Sequence, residues 1–216
     1  MILHRLLNFA YRLLYGPFAV FYDLVAWWVS AGHWQDWVQT AAGQVRGTRV
    51  LELGFGPAHL QVAMQAETRQ VFGLDLSRQM AQIGARCLRR MRFPLRLIRS
   101  DAGQIPFPSN SFDTVVSTFP APYIFSESTL SEVARTLRPG GLFLVLVGTT
   151  PKSNSPLHWI NVLASRVSKR PFDYPAILTS FSPLIQHGML SSIQVIEHPS
   201  AILIYITSTK ENKATS

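Results

Sequence analysis

Glu52, Gly54 and Gly56 stand at alternate positions where an apolar run ends and a second apolar segment begins. This order is typical of a buried strand that turns sharply into a helix, with bare backbone at the turn. Glycine lets a ligand approach the main chain closely, and the beginning of the following helix offers free N–H groups. The segment therefore predicts a nucleotide-type pocket. Dinucleotide enzymes prefer glycine or alanine at the sixth motif position, where this chain has His59, so a nicotinamide-dependent oxidoreductase is the weaker alternative.

Two further carboxylates follow later predicted strands. Asp75 closes the second strand nineteen residues after Gly56, and a carboxylate there can accept hydrogen bonds from both ribose hydroxyls. Its alternative role is to cap the next helix, which Ser77 could do instead. Asp101 follows the third strand, where it could accept a hydrogen bond from the exocyclic amine of adenine while the Ala102 N–H meets a ring nitrogen. The alternative for Asp101 is a turn in which it bonds its own backbone.

The elements that must position these residues alternate from Thr48 onwards. The predicted strands are Thr48–Leu53, Gln70–Asp75, Leu95–Ser100, Phe112–Thr118 and Leu142–Val147, and the predicted helices are Ala58–Ala66, Ser77–Arg90 and Glu127–Leu137. This alternation predicts an α/β fold with a parallel, doubly wound sheet. A helix over Ile177–His187 follows, and then the strands Ser192–Glu197 and Ala201–Thr209. Their link is too short for a crossover helix, so these two strands must pair antiparallel.

Together, these segments resemble the class I S-adenosylmethionine-dependent methyltransferases, most closely the group of the ubiquinone and menaquinone C-methyltransferases. The segments that carry the resemblance are Val50–Leu60, Gly73–Ser77 with Met80, Asp101–Asp113 and Leu137–Gly141. It covers roughly Tyr22 to Lys210. It implies a seven-stranded sheet of order 3-2-1-4-5-7-6, mostly parallel with an antiparallel C-terminal strand, and S-adenosylmethionine as the cofactor.

The resemblance also implies roles for individual residues. Gly54 and Gly56 would pass the methionine moiety, with Glu52 near its amino group, and Asp75 would hold the ribose. Leu76 and Ile105 would flank adenine, Asp101 and Ala102 would read its edge, and Tyr22 would cover the site. Ala58 replaces a glycine that the family often has, a change that is tolerated if the local φ is negative. The cofactor-binding residues implied are Glu52, Gly54, Gly56, Ala58, Asp75, Leu76, Asp101, Ala102, Ile105, Thr118 and Tyr22.

The segment Thr118–Tyr123, after the fourth strand, should face the methyl group. It lacks the Asn-Pro-Pro-aromatic pattern of nucleic-acid amine methylases, so a nucleic-acid substrate is not expected. Transfer from a sulfonium is an in-line displacement in which positioning can supply much of the acceleration. The catalytic residues stay unassigned. The candidates for a general base are His59, His158, His187 and Tyr123.

The acceptor is inferred from apolar surroundings. An apolar pocket wall is suggested by Phe119, Pro120, Pro122, Tyr123, Phe125 and the stretch Pro156–Phe172, and apolar residues make up 47% of the chain against 15% charged. We expect a small, hydrophobic or lipid-like acceptor. A more soluble small-molecule acceptor is an alternative, as is a catalytically silent methyltransferase-like protein that only binds cofactor or membrane. The oligomeric state is left open.

The chain divides into apolar N-terminal helices over residues 1–45, the cofactor-binding domain over 46–210 and a frayed tail over 211–216. The N-terminal helices could cap the domain, lie on a membrane surface or span a bilayer over Leu13–Ala31. Asp23 and the Gly16–Pro17 interruption disfavour a span. Met1–Leu14 lacks a small-residue cleavage site and is not interpreted as a secretory signal.

The net charge of +8 is unevenly distributed, with seven arginines and no acid between Leu76 and Ser100. This segment is either a solvated helix face or a surface for anionic lipid or another polyanion. A single cysteine, Cys87, excludes an intramolecular disulfide and fits a reducing compartment. We expect a cytoplasmic location, with the inner membrane surface as an alternative. The six histidines lack ligand spacing, so no metal site is expected.

Overall fold

A seven-stranded sheet forms the centre of the molecule in the computed structural model, which describes residues 27, 30, 32–67, 69–152 and 174–212. Its strands are β1 (Arg49–Leu53), β2 (Gln70–Asp75), β3 (Leu97–Arg99), β4 (Phe112–Thr118), β5 (Leu137–Pro151), β6 (Met189–Glu197) and β7 (Ala201–Lys210). The strand order is β3-β2-β1-β4-β5-β7-β6. The first five strands pair in parallel, whereas β7 pairs antiparallel with both β5 and β6. The predicted fold class, strand order and antiparallel C-terminal hairpin are confirmed.

Helices cover both faces of this sheet. They are α1 (Trp34–Gln44), α2 (His59–Ala66), α3 (Arg78–Arg90), α4 (Glu127–Thr136) and α5 (Tyr174–Ser180), with 3₁₀ turns at Pro122–Phe125 and Ser182–His187. Neighbouring residues of a strand face opposite layers. Val50 therefore packs in the cluster that contains Trp37 of α1, and Leu51 packs in the cluster that contains Val133 of α4. Burial on both faces explains the continuous apolar run Leu142–Val147 within β5.

Several boundaries differ from the predicted ones for local reasons. Helix α4 ends at Thr136 and β5 begins at Leu137, with an irregular register against β4 before regular pairing starts at Leu142. The predicted helix over Ile177–His187 is divided into α5 and a 3₁₀ turn. Pro183 lies in the first turn of the second piece, where it lacks a backbone N–H to continue the helix. The second piece ends at His187, as predicted, and Gly188 caps it with φ of +68°.

The N-terminal region is described only from Gly32 onwards, apart from Trp27 and Ser30. Helix α1 packs against α2 and contributes to the second core cluster, so it belongs to the same body as the sheet. Most of the candidate span Leu13–Ala31 lies outside the described residues. Within the described residues, no helix has both the length and the apolar character needed to cross a bilayer. Of the predicted tail, Glu211 donates its N–H to the Gly188 carbonyl at 3.0 Å.

Candidate active site

The loop between β1 and α2 has left-handed backbone at three alternate residues. Gly54, Gly56 and Ala58 have φ of +70°, +49° and +71°. The Gly54 N–H donates to the Leu74 carbonyl at 2.7 Å, which holds the loop against β2. A Cβ at Gly56 would meet no atom within 4 Å. The backbone at Gly56 is therefore open to a ligand, as the glycine spacing predicts.

Ala58 does not meet the condition of a negative φ under which alanine is easily tolerated here. It is the N-cap of α2 in the left-handed conformation, which costs a non-glycine residue about 1 kcal/mol or more. Its side chain is fully buried in a small cluster with Phe55 and Leu88. Burial of this methyl group offsets the backbone strain, because removing a buried methyl costs about 0.8 kcal/mol. Ala58 supports the loop from behind and does not line the cavity described below.

Asp75 joins the glycine loop to the beginning of α3. Its Oδ2 accepts a hydrogen bond from the Gly56 N–H at 3.0 Å, and its Oδ1 accepts one from the Ser77 N–H at 2.8 Å. The cap of α3 is Ser77, whose Oγ accepts from the Met80 N–H at 3.1 Å. Burial raises the pKa of Asp75, while the two backbone N–H donors oppose this effect. The carboxylate is thus held at the cavity wall with lone pairs that a ribose could use.

Glu52 lies beneath the glycine loop with only 2% of its surface exposed. Burial raises its pKa to about 8, against the opposing effect of a hydrogen bond from Gln61; the charge of Asp75 raises it further. The Gln61 Nε2 donates to Glu52 Oε2 at 2.8 Å, while the Gln61 Oε1 has no partner among the described residues. A cationic amino group in the cavity would favour the ionised form of the Glu52 carboxyl and could donate a hydrogen bond to it. No local sequence pattern predicted this role of Gln61.

An ion pair on α4 holds the backbone of the loop after β3, a contact that the sequence did not predict. Glu132 Oε2 accepts from the Ile105 N–H at 2.7 Å, and Arg135 donates to the carbonyls of Ile105 and Phe107. Ile105 is 3% exposed and lies in the core. Asp101 Oδ1 accepts from the Gly103 N–H at 2.7 Å, so the turn considered as its alternative role is present. That bond occupies one carboxylate oxygen of an exposed side chain.

A cavity of about 630 Å³ opens at the carboxyl ends of β1, β2 and β4. Eight of the implied residues line it: Glu52, Gly54, Gly56, Asp75, Leu76, Asp101, Ala102 and Thr118. Leu76 is 62% exposed and presents an apolar surface beside Asp101 and Ala102. Ile105 and Ala58 do not line the cavity, because both are buried in the core beneath it. Tyr22 and the stretch Pro156–Phe172 lie outside the described residues. Of the residues expected at the apolar wall, Pro122 and Phe125 do not line the cavity.

The opposite wall of the cavity is aromatic. The Trp34 and Phe119 ring centroids are 4.4 Å apart, and Val38 lies on the same wall. Tyr123 places its hydroxyl above Gly54 and 3.5 Å from Ser117 Oγ, which donates to the Leu53 carbonyl. The contribution of α1 was not predicted, because no local pattern links Trp34 to a loop after β4.

Of the four candidate bases, His59 and Tyr123 line the cavity. His187 lies at the end of the 3₁₀ turn and is not among the lining residues. His158 lies outside the described residues. Among the residues that the structure describes, no group of three metal-ligating side chains occurs.

Comparison with known proteins identifies the family to which this chain belongs. The family described as "Methyltransferase domain" matches residues 51–145. The demethylmenaquinone methyltransferase of Symbiobacterium thermophilum is 30% identical over 187 residues, which cover 76% of this chain and 74% of that protein. This chain belongs to the S-adenosylmethionine-dependent methyltransferases. It is therefore an enzyme of methyl transfer, and S-adenosylmethionine is its cofactor.

Other proteins similar to this methyltransferase agree in family and fold. The ubiquinone/menaquinone biosynthesis C-methyltransferase of Azotobacter vinelandii is 31% identical over 61% of this chain, and the match spans 56% of that protein. The crystal structure of a SAM-dependent methyltransferase from Thermotoga maritima superposes with a TM-score of 0.60 at 19% identity, covering 90% of this chain and 98% of that one. At that identity the likeness concerns the fold alone. Nothing in these matches favours an oxidoreductase or a silent scaffold.

The cavity of this methyltransferase fits its cofactor. Its lining combines open backbone at Gly56 with the carboxyl groups of Glu52 and Asp75, which are the kinds of group that can accept hydrogen bonds from an amino group and from ribose hydroxyls. When bound, the cofactor supplies a methyl group on a positively charged sulfur. The protein groups that surround it contribute orientation and exclusion of water.

Proposed function

We propose that this methyltransferase acts on a hydrophobic acceptor of the quinol type and methylates a ring carbon. The single observation that carries the proposal is the aromatic wall of the cavity, in which the Trp34 and Phe119 rings pack with centroids 4.4 Å apart and planes tilted by 30°, beside Val38. A flat apolar ring can bind against such a wall by burial and stacking. The relatives support the same class, because those cited above are named for demethylmenaquinone and for ubiquinone/menaquinone biosynthesis.

We also propose which residues hold the cofactor. Asp75 binds the ribose hydroxyls, Glu52 the amino group, and Leu76 one face of adenine, as the family resemblance implies. The support is that all three line one cavity together with Gly54 and Gly56. The roles of Asp101 and Ala102 at the adenine edge, and of Tyr22 over the site, stay predictions.

Methylation of carbon requires that the attacked carbon lose a proton after the new C–C bond forms. His59 and Tyr123 are the cavity-lining candidates that could accept it or orient the quinol hydroxyl. The Tyr123 hydroxyl lies over Gly54, beside the predicted path of the methionine moiety. These two side chains are our candidates for the acid–base role.

The test is a methyl-transfer assay with labelled S-adenosylmethionine and a short-chain naphthoquinol, with a polar amine as the contrasting acceptor. We expect label in the quinol and none in the amine. Phe119→Leu should raise KM for the quinol several-fold and leave cofactor affinity unchanged. The matched control is Phe125→Leu, since Phe125 is a half-exposed aromatic residue outside the cavity. Tight cofactor binding without quinol turnover would reject the acceptor class and leave the family assignment intact.

A further inference from the structure

Seven arginines, with no acidic residue among them, lie on α3 and the chain around β3. We call this set the arginine face: Arg78, Arg86, Arg89, Arg90, Arg92, Arg96 and Arg99. All except Arg96 are exposed. Within the described part of the chain none of the seven pairs with a carboxylate, whereas Arg69, Arg135 and Arg138 each do. The positive charge of this face is therefore uncompensated.

The arginine face is continuous because of helical spacing. Arg78, Arg86 and Arg89 fall on one side of α3 at 3.6 residues per turn. The residues that α3 buries lie on the opposite side and are Met80, Gly84 and Leu88. A helix of 13 residues is about 20 Å long, so the charge extends from the cavity, where Arg78 and Arg99 are lining residues, to the far end of α3.

The far end of α3 is closed by a Schellman motif. The Phe93 N–H donates to the Leu88 carbonyl at 2.9 Å, and the Arg92 N–H donates to the Arg89 carbonyl at 3.0 Å. Phe93 also packs against the cluster that contains Leu88, the hydrophobic contact expected of this motif. Glycine normally occupies the left-handed position of such a cap, but here Arg92 has φ of +60°. The chain thus keeps a charged side chain at a place where glycine would relieve backbone strain.

Two aliphatic side chains project between these arginines. Met91 is 52% exposed and Leu95 is 43% exposed, and Arg90, Arg92 and Arg96 flank them in sequence. Single-stranded nucleic acids bind to basic side chains through their phosphates and to aromatic side chains through base stacking. Exposed aliphatic side chains contribute to neither interaction. Apolar side chains set among basic ones are typical of segments that lie in the interface of an anionic membrane.

We propose that the arginine face, together with Met91 and Leu95, binds the surface of an anionic membrane. Its arginines would lie among acidic headgroups, and its two apolar side chains would enter the acyl boundary. The residues of this surface are not part of the N-terminal segment that the sequence suggested as a membrane anchor. The proposal concerns membrane binding alone and does not depend on the identity of the methyl acceptor.

The test is co-sedimentation of the full chain with vesicles of phosphatidylcholine alone or with added phosphatidylglycerol. We expect binding only to the anionic vesicles, and loss of that binding at high salt. Each arginine near such a surface contributes roughly fivefold in partitioning, so Arg89→Gln/Arg90→Gln should weaken binding about 30-fold. The charge-matched control is Arg46→Gln/Lys152→Gln, an exposed and a half-buried cation outside the face, which should bind like the wild type within a few-fold.

Two further variants separate this proposal from its rivals. Met91→Ser/Leu95→Ser should weaken vesicle binding about tenfold, an effect that contact with a polyanion would not produce. Arg92→Gly should raise Tm by about 2–4 °C, because it relieves the left-handed strain, and yet weaken vesicle binding roughly fivefold. If every variant of the arginine face and of Met91 and Leu95 binds vesicles like the wild type, membrane contact belongs to another segment and the proposal is overturned. Binding to single-stranded RNA without binding to anionic vesicles would overturn it as well.

Discussion

The Tyr123 hydroxyl lies so close above Gly54 that a Cβ on this glycine would stand 2.5 Å from it. Gly54 also has φ of +70°, where alanine is strained by about 1–2 kcal/mol. We therefore predict that Gly54→Ala lowers the free energy of unfolding by more than that strain alone, as measured by urea denaturation. Combining it with Tyr123→Phe should recover the excess, because the nearest remaining atom would be the ring carbon at 3.6 Å.

Gly56→Ala is the control for that prediction. A Cβ there meets no atom within 4 Å, so the free energy of unfolding should fall only by the backbone strain. The new methyl group would nevertheless enter the cavity, so S-adenosylmethionine affinity should fall strongly in calorimetric titration. Equal stability losses for the two alanine variants would contradict the contact with Tyr123.

Asp75 is expected to carry much of the selectivity for the adenosine part of the cofactor. In Asp75→Asn one ribose hydrogen bond loses its acceptor and the other loses its charge assistance, which together should remove about 2–4 kcal/mol of binding free energy and weaken S-adenosylmethionine binding by about 30- to 1000-fold. Titration calorimetry measures this directly, with NAD giving no signal for either protein.

The matched control for Asp75 is Asp113→Asn. Asp113 also accepts two backbone N–H bonds, from Thr48 at 3.0 Å and Arg49 at 2.9 Å, but it lies away from the cavity. Asp113→Asn should lower the free energy of unfolding and leave cofactor affinity unchanged. If Asp113→Asn weakens binding as much as Asp75→Asn does, the effect is one of folding and not of ribose contact.

Glu52 predicts a pH dependence of cofactor binding. Its pKa of about 8 means that the buried side chain is mostly protonated at pH 7, whereas an amino group of the ligand favours the ionised form. Binding should then release close to one proton, and affinity should rise by up to about tenfold per unit between pH 6 and 8. Calorimetry at pH 7 in buffers of different ionisation enthalpy measures the proton count, and Glu52→Gln should abolish it.

The same shift fixes the sign of the stability change. The pKa of Glu52 is raised above its ordinary value of 4.5, so the folded state binds more protons than the unfolded state between pH 4.5 and 8. The contribution of Glu52 to the free energy of unfolding is complete below that window and is lost as the pH rises through it. Glu52→Gln should flatten this dependence in the ligand-free protein. A proton release that persists in Glu52→Gln would assign it to another group.

The sequence indicated the parts of the site that depend on local backbone and missed those that depend on distant packing. Glycine spacing and a carboxylate at a strand end are local signals, so Gly54, Gly56 and Asp75 could be found at once. Trp34 reaches the cavity only because α1 packs on α2, and Gln61 reaches Glu52 only across the β1–α2 turn. No periodicity encodes such contacts.

The support of the loop after β3 illustrates the same limit. Glu132 and Arg135 are three residues apart on α4 and could be interpreted as an ordinary surface pair. In the structure they hold the backbone of Ile105 through its N–H and its carbonyl. The left-handed φ of Ala58 was also hidden, since the burial that offsets its strain comes from Phe55 and Leu88.

Gly84 of α3 packs so tightly against the glycine loop that no side chain can be accommodated there without displacing the loop. A Cβ there would lie 3.0 Å from the Phe55 ring, 3.1 Å from the Gly56 carbonyl oxygen and 3.2 Å from the Ala58 Cβ. Gly84→Ala should therefore destabilise the protein by about 1–3 kcal/mol, although alanine is the better helix former. The control is Gly43→Ala on α1, where nothing lies within 4 Å and about 1 kcal/mol of stabilisation is expected.

Exchanging the two small residues tests whether the contact between α3 and the loop is specific. Ala58→Gly removes both the left-handed strain and the methyl group that faces Gly84, so alone it should change stability by less than about 1 kcal/mol. In the double variant Ala58→Gly/Gly84→Ala the methyl group moves from the loop to the helix. The double variant should then be more stable in urea denaturation, by about 0.5–2 kcal/mol, than the value expected from adding the stability changes of the two single variants. Strict additivity would mean that Phe55 and the Gly56 carbonyl alone exclude a side chain at Gly84.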